Sequence, residues 1–108
     1  MVKDIIDVVS LAYGVTRDEV LSSNRRKALC EVRYIVCCFY RDLGLSLHEI
    51  GRRLNRDHST IVRSLKVYKD LYEYDKRFRI IADKFKDVDL CYVNSCIRYG
   101  EEIKVEDR

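Results

Sequence analysis

The stretch RRLNRDHSTIVRSL, residues 52–65, gathers a cation, a carboxylate, an imidazole and two hydroxyls into five consecutive positions. Three chemistries could use such a set. Asp57, His58 and Ser59 are the residue types of a hydrolytic relay. Asp57 and His58 are also metal-ligand types, and the whole group suits contact with base edges. A relay needs side chains that converge, and three consecutive residues at a helix start diverge. A helical metal pair would want a second histidine at i+4, where the chain has Val62; the only other histidine is His48. Cys37 and Cys38 are adjacent and point to different sides of one helix. Cys91 and Cys96 form a C-x4-C pair with no matching second pair, whereas a structural zinc takes four ligands in two pairs. For base contact the requirement is different: a capped helix start whose first turn is polar, set behind a short turn and another helix.

The neighbouring sequence supplies that frame. Ser46 is a helix cap, and Glu49 three residues on completes a capping-box pattern. Leu47, Ile50 and Leu54 line one face of the helix that follows, and Gly51 inside it implies close approach of another helix. NRD, residues 55–57, is a turn: Asn55 tolerates the left-handed backbone, and Asp57 is a good N-cap. From there Ile61, Leu65, Tyr68 and Tyr72 resume a helical stripe. Helix, turn and helix with a polar second start make a helix-turn-helix. In such a unit Asp accepts from a cytosine amino group, hydroxyls serve either way, and a Thr methyl packs on thymine. The helix N-terminus favours a phosphate, and Arg52, Arg53 and Arg56 flank the turn as cations for the same anion.

Helical periodicity extends on both sides. Ile5, Val8, Val9 and Ala12 mark a first helix ended by Gly14, and TRDE, residues 16–19, is a capping box for a short second one. A long helix over about 27–43 buries Leu29, Val32, Val36, Phe39 and Leu43. A last helix over about 76–86 carries Phe78, Ile81, Ala82 and Phe85. Beyond residue 86 no period is clear, and LCYVNSCIRYG, residues 90–100, suits a short strand or hairpin. With no proline and four glycines in 108 residues, the chain reads as one all-α domain.

Charge is uneven. Net +3 overall, the sequence carries twelve Lys/Arg against six Asp/Glu in residues 17–69, while residues 1–16 and 70–108 are slightly acidic. The basic excess surrounds the helix-turn-helix and suits a polyanionic partner. Asp4 and Asp7 interrupt the N-terminal apolar stretch, no apolar run reaches the ~18 residues of a membrane span, and five cysteines is an odd number. A cytoplasmic protein in a reducing compartment is expected, with no membrane contact. The sequence has no glycine-rich phosphate loop, so no bound nucleotide, cofactor or metal is expected.

The segment LSLHEIGRRLNRDHSTIV, residues 45–62, resembles the DNA-binding domain of the bacterial chromosomal replication initiator, DnaA. Upstream, YGVTRDEVLSSNRRK and VRYIVCCFYRDL are similar to two further segments of that family, so the resemblance spans roughly residues 4–86. It implies an all-α helix-turn-helix fold, Trp-repressor-like or DnaA C-terminal-like, that binds initiator boxes in double-stranded DNA. Carried over by position, Arg56, Asp57, His58, Ser59 and Thr60 fall at the major groove with Arg63 near it. Arg25, Arg26 and Lys27 form a basic loop, Arg33 lies on the DNA backbone, and Lys66 sits farther along the recognition helix. Glu31 stands where the family has an arginine that enters the minor groove. A carboxylate there repels the groove, so Glu31→Arg is expected to raise affinity. His48 stands where proline is common.

The residues resembling DnaA include no ATPase module, so a DNA-binding replication or transcription factor without enzymatic activity is expected. Residues 4–86 form the binding domain, and residues 87–108 a tail that could meet a protein partner. Two rival readings remain open: a protein-interaction module on a helix-turn-helix scaffold, with the tyrosines of YKDLYEY and CYVNSCIRY as contact surface, and a metal-dependent enzyme using His58 and the cysteines.

Overall fold

Six helices follow the caps and breakers of the sequence. In the computed structural model, which describes residues 5–86, they are α1 Ile5–Tyr13, α2 Arg17–Leu21, α3 Lys27–Asp42, α4 Leu47–Leu54, α5 His58–Tyr74 and α6 Lys76–Lys86. The tail, with its expected strand or hairpin, Cys91 and Cys96, lies outside the described residues. Every described element is a helix, and none is long and apolar enough to cross a membrane.

Helices α2, α4, α5 and α6 each start at a side-chain cap. The Thr16 hydroxyl accepts from the Glu19 amide at 3.1 Å, and the Glu19 carboxylate accepts from the Thr16 amide at 3.0 Å. Two N–H groups that a helix end leaves unpaired are satisfied reciprocally. Ser46 accepts from the Glu49 amide at 3.1 Å, but here the box is half-formed. The Glu49 carboxylate turns along its own helix to Arg52 and, at 3.1 Å, to Arg53, because guanidiniums three and four residues on outcompete a distant amide. Asp75 caps α6 through the Phe78 amide at 3.1 Å.

Helix α3 packs against all five other helices. Its Leu29, Val32, Val36 and Phe39 are buried, as the stripe predicts, together with Ile5 and Val9 of α1, Val20 of α2, Ile50 and Leu54 of α4, Ile61 of α5, and Phe78, Ile81, Ala82 and Phe85 of α6. Leu43 departs from the expected stripe and is 49% exposed. The helix stops at Asp42, so Leu43 takes the C-cap position and leaves the buried face. Leu65, Tyr68 and Tyr72 of α5 are only half-buried; Tyr68 meets Phe78 edge-on at 5.5 Å.

Gly51 answers to the turn, not to a separate helix. A side-chain carbon there would run into the carbonyl oxygen of Arg56. The same approach lets the Arg56 amide donate to the Gly51 carbonyl at 2.8 Å, and Asn55 closes the corner in the left-handed conformation, φ 59°. Gly51→Ala would add about 1 kcal/mol of helix propensity in an open helix. Here the clash with backbone is expected to dominate and cost roughly 1–3 kcal/mol net, read as a lower urea midpoint at unchanged m-value.

Candidate nucleic-acid interface

The turn between α4 and α5 is positioned by arginine side chains that reach across to α2. Helix α2 has only five residues, and its last carbonyls need partners. Arg33, from α3, donates its Nε to the Val20 carbonyl at 2.8 Å and its Nη2 to those of Ser22 at 2.9 Å and Glu19 at 3.2 Å. Arg56, from the turn, donates Nη1 to the carbonyls of Asn55 at 3.0 Å, Leu54 at 3.3 Å and Leu21 at 3.4 Å, and Nη2 to that of Ser22. The Asn55 side-chain Nδ2 donates to the Leu21 carbonyl at 3.5 Å. Two guanidinium forks thus satisfy the end of α2 and complement the negative end of its dipole. Burial first, and the nearby Arg56 charge second, pull the Arg33 pKa down.

This geometry corrects two expectations. Arg33 is 7% exposed with its donors on carbonyls, so it holds the scaffold together instead of lying on a DNA backbone. Arg56 is half-buried, and its guanidinium is engaged at the end of α2, while the residue also lines the open cleft shared by Arg25, Thr60 and Arg63. Glu31 is corrected too. It is 3% exposed and faces inward, accepting from the Tyr13 hydroxyl at 2.9 Å and pairing with Arg77 at 3.5 Å. Burial, then the carboxylate beside it, pushes the Tyr13 hydroxyl pKa up. Glu31 brackets α1, α3 and α6 and presents no charge to a groove.

The remaining site residues fall into two sets. Asp57 caps α5: one carboxylate oxygen accepts from the Ser59 hydroxyl at 2.8 Å and the Thr60 amide at 2.9 Å. Those bonds, the amide foremost, hold its carboxyl below the usual range. Since Ser59 donates directly to Asp57, His58 does not stand between them as a relay would require. His58, Ser59, Thr60, Arg63 and Lys66 are exposed along the outer face of α5, and Val62 among them is 46% exposed. Thr60 and Arg63 share an open cleft with Arg25, on the connection between α2 and α3. Arg26 is exposed and lies 3.6 Å from Glu19. Lys27 borders a different groove, beside Tyr13, Glu31 and Arg77.

His48 and Val62 escaped the sequence reading as site residues. The His48 ring lies 4.5 Å from that of His58, centroid to centroid, with the planes at 37°. Nothing in a spacing of ten residues announces that contact; only the fold of the turn makes it. Val62 carried a legible signal, an apolar residue on the polar side of the α5 stripe. Among the described residues no group of three or more His, Cys, Asp or Glu could hold a metal. Burial pushes the Cys37 thiol up to about 12, far from the thiolate that metal binding needs.

The bacterial dnaA protein helix-turn-helix family matches residues 2–67. The chain is 33% identical over 85 residues to the chromosomal replication initiator protein DnaA of Thermotoga petrophila, covering 77% of this chain and 19% of that protein. With the protein of the same name from Desulfotalea psychrophila it shares 33% identity over 89 residues, 78% of this chain and 19% of the relative. With that of Xanthobacter autotrophicus it shares 36% over 77 residues, 69% and 15%. The chain spans about a fifth of the length of the first two relatives.

Three outcomes follow from these carboxylates. Glu31→Ala leaves the half-buried Tyr13 hydroxyl without its acceptor and should cost about 1–3 kcal/mol in chemical denaturation, while Glu31→Gln keeps an acceptor and should cost less. Glu31→Arg should destabilise the fold without strengthening DNA binding. For Asp57, the depressed pKa means that the cap contributes above the unfolded carboxyl pKa and is lost as pH falls through the lower folded one. The protection factor of the Thr60 amide, its exchange rate relative to the intrinsic rate at each pH, should therefore hold through neutral and mildly acidic pH and fall only below the ordinary carboxylate range.

Proposed function

The chain belongs to the bacterial DnaA helix-turn-helix family, and from that membership we propose that it recognises a specific double-stranded sequence of the initiator-box type. The observation that carries the reading is the exposed face of α5: His58, Ser59 and Thr60 on its first turn, then Val62, Arg63 and Lys66. A helix presented this way enters the major groove by its N-terminus. Imidazole and hydroxyls address base edges, and Val62 offers an apolar surface to a thymine methyl. Asp57 has one oxygen engaged in the cap, so its first role is to fix where the groove-facing residues begin.

Arg25 and Arg63 line the cleft beside α5, and with the exposed Arg26 and Lys66 they hold phosphates. Phosphate contacts place the helix, and base contacts give it meaning. The binding step needs no metal, nucleotide or covalent chemistry from these residues. Such a target puts the chain in the bacterial cytoplasm, in replication or transcription control.

Fluorescence anisotropy with an initiator-box duplex and a scrambled duplex of equal length tests the proposal. Tighter binding to the box is expected. With four phosphate contacts, a rise from about 50 to 200 mM salt should weaken both complexes by roughly a hundredfold. His58→Ala should lose about five- to a hundredfold on the box and little on the scrambled duplex. Arg63→Ala and Lys66→Ala should weaken both duplexes alike, each reducing the salt slope by about one. Equal, salt-insensitive affinity for both duplexes, or none for either, would overturn the reading in favour of a protein-interaction module.

A further inference from the structure

His58 is fixed at its backbone and loose at its ring. The Asp57 cap and the Arg56–Gly51 bond set its main chain. Its side chain is exposed, with two torsions, and among the described residues no hydrogen bond holds the imidazole. The nearest hydroxyl on its own helix, Ser59, is already donated to Asp57. A reading group left to rotate loses that freedom on binding and discriminates poorly.

What the ring does meet is His48, from the first turn of α4. The centroid separation of 4.5 Å and the 37° tilt lie at the close end of the aromatic-pair range. His48 is exposed too, but its backbone is held: Ser46 caps α4 two residues before it, and Ile50 two residues after it is fully buried. The contact therefore joins the two helices of the helix-turn-helix on the outer side, opposite the packing of Ile50, Leu54 and Ile61. Ring-face contact also leaves ring nitrogens free for polar partners.

We propose that His48 is a positioning residue for base recognition: its tilted ring packs against His58 and holds that imidazole in the orientation in which it enters the groove. This rests on the reading that His58 meets base edges. His48 then acts through His58, so its contribution falls on discrimination between sequences and not on general affinity for DNA. An uncharged aromatic ring at position 48 can do the same work, because the contact uses the ring face.

The test is the ratio of affinities for box and scrambled duplexes in wild type, His48→Ala, His48→Phe, His58→Ala and the His48→Ala/His58→Ala double variant. His48→Ala should lower the ratio about three- to tenfold, as expected for loss of one aromatic pair, with affinity for the scrambled duplex unchanged. His48→Phe should restore most of the ratio. In the His58→Ala background, His48→Ala should have no further effect on it. In the free protein, the His58 ring protons should lose a ring-current shift in His48→Ala and keep one in His48→Phe. A wild-type preference for the box that survives His48→Ala intact overturns the positioning role while leaving the DNA reading in place. So does an equal loss on both duplexes, or an equal effect with and without His58. A wild type with no preference for the box overturns both.

Discussion

The end of α2 is the point on which the arrangement depends. A five-residue helix cannot pair its own last carbonyls, and two arginines from elsewhere in the fold do it: Arg33 from the central helix and Arg56 from the turn, both reaching Ser22. Neutral hydrogen bonds would serve the carbonyls, but a guanidinium fork also offsets the helix dipole and reaches several oxygens at once. Arg56 belongs to the corner that aims α5, so the orientation of α5 is set partly by a helix that never touches the turn in sequence. The cost is two like charges close together and one of them buried, tolerable because each donor has an oxygen to meet.

Gly51 is the second half of that corner. Its missing side chain lets the backbone of Arg56 come against α4, and the left-handed Asn55 brings it there. Backbone approach from one side and guanidinium capture from the other leave the turn little freedom. On the far side of α3, Glu31 performs a comparable office with opposite charge, joining Tyr13 and Arg77 across three helices.

Much of this was legible in the sequence, and the reason is locality. Caps, breakers and apolar periods act within four residues, so Thr16, Gly14, Asn55 and Asp57 announced the helix ends, and the stripes of α1, α3, α4 and α6 announced most of the core. The direction of a long charged side chain is not local. The resemblance places Arg33 and Glu31 at DNA, and Arg56 too, as does its position beside the turn, but the partners that engage them lie eleven to forty-six residues away. Resemblance to a family did not help, since it transfers a position without transferring the rotamer. Glu49 shows the limit even nearby: the box pattern was present, and two arginines on its own helix claimed the carboxylate. The His48–His58 contact required the finished turn before it could exist.

Because Ser22 is held by both Arg33 and Arg56, the basic connection beside it is tied to the corner that starts α5, and the two form the lips of one jaw. Arg25 stands on one lip of the cleft, and Thr60 and Arg63 on the other. In the proposed complex such a jaw works as a caliper. It would set the spacing between a phosphate strand and the groove floor, so that the local width of the duplex enters recognition along with its bases. Selectivity then includes the stiffness and shape of the DNA as well as its letters.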